Sequence, residues 1–162
     1  MIKYHPSHYP KERYTISNQK DLMNQIPKTE NALILRTDFS NRAAWETITG
    51  IIQKSVGVFR FRANMEFVDD AEYAGITKDQ LLELIPKNYS HNFIVVADRT
   101  AISLPDHPLL IVDLYERSGR EFRAIPSQIQ SIENNLSIAN MDFEEFAESV
   151  DESGIFRGFP KS

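Results

Sequence analysis

The feature that most constrains this chain is a set of three short apolar runs, ALIL at residues 32–35, FIVVA at 93–97 and LLIV at 109–112, each closed by a charged residue. Runs of four or five apolar residues are short for a helix and far below the roughly 20 that cross a bilayer, so each reads as a buried strand. Helical patterns fill the intervals. In NRAAWETITGIIQKS the apolar positions Ala44, Trp45, Ile48, Ile51 and Ile52 fall three and four apart, which predicts a helix with one broad core face, capped by Ser40. Thr77 with Gln80, Ser127 with Gln130 and Asp142 with Glu145 each have the spacing of a capping box. The first opens a helix ending at Pro86, the second one carrying Ile129, Ile132 and Leu136, and the third one carrying Phe143, Phe146 and Ala147 with a stop at Gly154. Ser17 caps a shorter expected helix over 18–26, ended by Pro27.

Two further stretches add strands. Phe59 and Phe61 alternate with Arg60 and Arg62, as in a strand with one wet face, and Ser118-Gly119 within ERSGR predicts a hairpin between PLLIVDLY and EFRAIP. The expected architecture is a single α+β domain over 31–159, with a mixed or antiparallel sheet of about four to six strands and about four helices. Residues 1–30 form an N-terminal arm with Tyr4, Tyr9 and Tyr14 among charges, His5, His8, Pro6 and Pro10.

Composition removes several chemistries. No cysteine occurs, which excludes disulfides, thiolate metal sites and cysteine nucleophiles and fits a cytoplasmic setting. Twenty-three acidic against 18 basic side chains give a net charge of −5, which disfavours nucleic acid. Arg60 and Arg62 beside phenylalanines resemble a single-strand platform, yet on one strand the two residue types face opposite ways. The four histidines His5, His8, His91 and His107 lack metal-ligand spacing, and no dinucleotide, P-loop or serine-hydrolase motif is present. No cofactor, resident metal or membrane span is therefore expected; a carboxylate magnesium site from Asp98, Asp113 and Asp142 is the residual metal alternative.

The candidate chemistry rests on charged residues beside the apolar runs. If the strands ending in Asp98 and Asp113 are adjacent, the carboxylates can approach, and crowding with desolvation raises one pKa into a range useful for catalysis. Against this stands pairing of each with an arginine such as Arg36 or Arg123, the usual remedy for a buried carboxylate. Arg36 and Asp38 close the first strand, where open α/β sheets place ligands, and Arg157 lies between Phe156 and Gly158. Asp38 serves equally well at the start of the following helix. Glu144, Glu145 and Glu148, with their acidic neighbours, form a negative surface suited to a basic protein partner.

The strings LRTDFSNRAAW, PLLIVDLYERSGREFRAIP and NLSIANMDFEEFAESVDESGIFRGF resemble a family of small bacterial proteins catalogued as a domain of unknown function, over residues 31–159. The resemblance implies a bacterial-type single domain with the arm outside it, and brings no activity, cofactor or catalytic residue. The leading expectation is a non-enzymatic protein-binding module comparable to small acidic inhibitor or immunity proteins. The alternative is an enzyme or small-ligand binder with Arg36, Asp38, Asp98, Asp113 and Arg157 around one cleft.

Overall fold

The computed structural model describes residues 23–54 and 63–161. Three buried strands form the centre: β1 (Ala32–Arg36), β3 (Phe93–Ala97) and β4 (Leu109–Asp113). With β2 (Met65–Val68), β5 (Glu121–Ala124) and β6 (Ile155–Phe156) they make a six-stranded mixed sheet in the order β2-β1-β3-β4-β5-β6. β1 runs parallel to β2 and β3, β4 is antiparallel to both its neighbours, and β6 is parallel to β5. The expected alternation Phe59–Arg62 lies outside the described residues, as do the arm up to residue 22 and most of the expected helix over 18–26. Residues 23–26 are not helical.

Both faces of the sheet are covered, which is why the central runs are apolar throughout instead of alternating. On one face Ala32, Ile34, Val95, Ala97, Leu109 and Ile111 meet α1 (Arg42–Gln53), α3 (Arg99–Ser103), α4 (Ile129–Ser137) and α5 (Phe143–Ala147). On the other, Leu33, Leu35, Ile94, Val96, Leu110 and Val112 meet α2 (Lys78–Leu84) and Ile26, whose N–H donates to Leu84 O at 2.9 Å. Among the described residues no helix is long and apolar enough to cross a membrane.

The helix starts depart from expectation in two places. α1 is capped by Asn41, which accepts from Ala44 N at 3.0 Å, while Ser40 turns back to the Asp38 carboxylate. Ser127 forms no capping box, because Pro126 opens a 3-10 turn over Pro126–Gln128 that runs straight into α4. The Thr77–Gln80 box forms in both directions, at 2.9 and 3.2 Å, and Glu145 accepts from Asp142 N at 2.9 Å at the start of α5. The fifth helix, α3, is a five-residue segment that no apolar period announces.

The C-terminal stretch closes the core. Phe143 and Phe146 from α5 and Phe156 from β6 surround Phe122 of β5, with ring centroids 4.9, 6.1 and 6.4 Å from it. Gly154, at φ +75°, makes the turn that returns the chain from α5 to β6, a conformation that favours glycine.

Candidate functional site

Sheet topology decides which charged residues meet. β3 and β4 are neighbours, as catalysis by Asp98 and Asp113 would need, but they are antiparallel, with Phe93 opposite Asp113. Asp98 follows the far end of β3, five residues away, so the two carboxylates are separated by about 16 Å of strand. They cannot crowd each other, and the same separation rules out a magnesium site shared by Asp98, Asp113 and Asp142. Among the described residues no group of three or more histidines and acids is placed to hold a metal ion.

The end of the sheet that carries Asp98 holds Arg36, Asp38 and Arg157 as well, and each has a partner there. Arg36 is 2% exposed; its Nη1 donates to Asp69 at 3.0 Å, its Nε to Asp38 O at 3.0 Å, and its guanidinium lies 4.4 Å from the Phe39 ring centre. Asp38 accepts from Ser40 N at 3.0 Å and from the Ser40 hydroxyl; that hydroxyl, against some desolvation, holds its carboxyl below the ordinary value. Asp98 caps α3 through Ala101 N at 3.1 Å and pairs with Arg123 at 2.7 and 3.0 Å. Arg157 bridges Asp151 and Asp106 at 2.7 and 2.8 Å, and lowers the pKa of Asp151.

The crevice in which an open α/β sheet would take a ligand lies between the ends of β1 and β3, where the chain passes to opposite sides of β1. Here backbone fills it. The N–H groups of Thr37 and Asp38 donate to Ala97 O at 3.0 and 3.3 Å, and the neighbouring cavity under α2 holds about 50 Å3. The expectation that Arg36, Asp38, Asp98, Asp113 and Arg157 surround one cleft is thus corrected: four share one end, where Arg36 meets the Asp38 carbonyl while Asp98 and Arg157 are tied to other partners, and Asp113 is at the other.

At that other end a cleft of about 470 Å3 opens between the β4–β5 hairpin and the α4–α5 loop, lined by Asn92, Tyr115, Leu136, Ala139, Met141 and Phe143 among apolar and polar groups, and by the charges of Asp113, Arg120, Asp142 and Glu144. Asp113 is 2% exposed and accepts from Tyr115 N at 2.9 Å, Ser118 Oγ at 2.8 Å, and Arg120 Nε and Nη2 at 3.1 and 2.7 Å. Its partner is thus an arginine, but neither Arg36 nor Arg123. Arg120 Nη1 also meets Glu144, and the Arg120 guanidinium lies 5.6 Å from the Phe143 ring centre. The hydrogen bonds that Arg120 donates to Asp113 raise the Arg120 pKa, so the guanidinium stays charged.

Arg120 escaped the reading of the sequence although a signal for it existed. The turn at Ser118-Gly119 fixes the hairpin register, with Asp113 N donating to Arg120 O at 2.8 Å, which places opposite charges across from each other. Of the acidic trio, Glu144 lines the cleft, Glu145 caps α5 and Glu148 ends it, exposed, with no ion pair among the described residues. They share the short helix without forming one contact network.

Residues 31–159 match the family model described as a domain of unknown function, DUF6924. A comparison with curated proteins finds no match to the chain.

Proposed function

We propose that this chain, which belongs to the domain-of-unknown-function family DUF6924, is a protein-binding module that engages a basic partner through α5 and its flank. The observation that carries the reading is the division of charge. Asp98 and Asp113 are half-buried and buried and held by Arg123 and Arg120, whereas Asp142, Glu144, Glu145, Glu148, Asp151 and Glu152 stand exposed over one short segment, where the paired cations, Arg120 on Glu144 and Arg157 on Asp151, are outnumbered by the carboxylates. Phe143 and Phe146 anchor that segment to the core, so the carboxylates sit on a rigid base. A fixed negative surface on a chain of net charge −5 steers and orients a cationic partner. In this reading the protein resembles small acidic inhibitor or immunity proteins and works in a bacterial cytoplasm, where a chain without cysteine loses nothing.

The test is capture from the native host by the wild-type chain and by a Glu144→Lys/Glu145→Lys/Glu148→Lys variant shown to fold by circular dichroism. A captured partner is then purified and its affinity measured against salt. Binding should fall about tenfold or more in the variant and weaken with ionic strength. A partner held equally by both chains, at an affinity indifferent to salt, would refute the reading.

A further inference from the structure

The cleft beside α5 has a chemistry that its acidic rim alone does not explain. Its walls are apolar at Leu136, Met141 and Phe143, and Tyr115, 64% exposed, stands at its mouth. Three carboxylates, Asp113, Asp142 and Glu144, line it against the single guanidinium of Arg120. Arg120 bonds Asp113 twice and Glu144 once, so three carboxylates share one guanidinium, and Asp142 has no ion pair among the described residues. At about 470 Å3 the space falls within the ordinary range of ligand pockets.

From this geometry we propose that the cleft is the anchor pocket for an arginine side chain presented by the partner protein. The inference rests on the protein-binding reading and names what the partner must carry. The guest's aliphatic stem packs on Met141 and Leu136, and its guanidinium reaches Asp142 and Glu144. Tyr115, exposed at the mouth, offers a ring face, where a planar cation is favoured. An anion meets the surplus carboxylates, and Arg120 already directs Nε, Nη1 and Nη2 to Asp113 and Glu144. A wholly apolar guest would strip water from Asp142 and Glu144 and return nothing.

The backbone around the pocket supports a built feature. Three described non-glycine residues have positive φ: His107, Glu116 and Ala139. Ala139, at +52°, forms part of the cleft wall, and Glu116, at +51°, follows Tyr115 in the turn that Asp113 organises. Ala139 closes the C-terminus of α4, its N–H donating to Leu136 O at 3.3 Å and that of Asn140 to Asn135 O at 2.9 Å, so this part of the cleft wall is fixed by the helix cap.

The test uses no partner. N-acetyl-arginine methylamide is titrated into the isotopically labelled full chain, following the Asn92 side-chain amide and the Arg120 Nε–H by NMR. N-acetyl-citrulline methylamide, the neutral analogue, is titrated in parallel. We expect saturable shifts at both groups with a dissociation constant of millimolar order, and affinity for citrulline lower by about tenfold or more. Glu144→Gln, at an exposed position, should weaken arginine about threefold or more, and Met141→Trp should abolish binding by filling the pocket. Equal binding of citrulline, absence of shifts at Asn92 and Arg120, or an unchanged affinity in Glu144→Gln would overturn the proposal. Failure here leaves the charge-reversal capture result standing, and failure of the capture leaves the titration result standing, so the two are separable.

Discussion

Phe146→Ala tests whether the C-terminal stretch closes the core. The Phe146 side chain is 0% exposed, and its ring centre lies 5.2 Å from Phe156, 5.4 Å from Phe159 and 6.1 Å from Phe122. Truncating a buried phenylalanine costs about 3–5 kcal/mol, from lost transfer energy plus the cavity left behind. Each aromatic contact adds about 0.5–1.5 kcal/mol beyond area, which puts this site at the upper end, about 4–5 kcal/mol. For a chain of this length that lowers Tm by about 8–20 °C. Phe159, 40% exposed at the edge of the same cluster, is the internal comparison, and Phe159→Ala should cost about 1 kcal/mol. Urea unfolding followed by Trp45 fluorescence and far-ultraviolet circular dichroism reads both variants, with an unchanged m-value expected. A loss below about 2 kcal/mol for Phe146→Ala, or equal losses for the two, would show that α5 and β6 decorate a core complete without them.

Two further outcomes follow from single groups. The Tyr89 hydroxyl is buried without a hydrogen-bond partner in range among the described residues, and burial, against a smaller lowering from the neighbouring Thr29 hydroxyl, pushes its pKa up to about 12. Tyr89→Phe should therefore leave stability unchanged or raise it by up to about 1 kcal/mol in urea melts, and a loss above that would reveal a partner for the hydroxyl. In the wild type, stability from keeping the phenol neutral is present below pH 10.0 and is lost as pH rises towards 12, which absorbance titration follows. Asp38 has the opposite sign: its carboxyl is held below 3.8, so its contribution is present above that pH and is lost as pH falls through the folded value. Asp38→Asn should flatten the decline of stability below about pH 4 in acid titrations of Tm, and an unchanged slope would assign the decline to other carboxylates.

Local chemistry was legible where a residue and its neighbours within about four positions settle the outcome. The runs at 32–35, 93–97 and 109–112 are strands, because continuous apolarity fits burial on both faces. Ala44, Trp45, Ile48 and Ile52 form the inner face of α1, and Thr77 with Gln80 caps α2, because both depend only on helical spacing. The hairpin at Ser118-Gly119 is likewise a property of the turn. Where two local signals compete, the stiffer wins: Pro126 fixes its own φ and overrides the cap that Ser127 offers. Asn41 takes the cap of α1 for a related reason, since Ser40 is drawn off by Asp38.

The sequence by itself therefore determined the α+β class, the buried strands and most of the helix faces, because periodicity and turn chemistry act over a few residues. Only the tertiary structure decided the site. A strand's direction depends on the whole path of the connection that precedes it, and antiparallel pairing of β4 with β3 sent Asp113 to the end opposite Asp98. That one reversal removed the carboxylate pair, and the placing of α5 beside the β4–β5 hairpin opened the Glu144 cleft, because side chains far apart in the chain meet only where strand order and direction bring them.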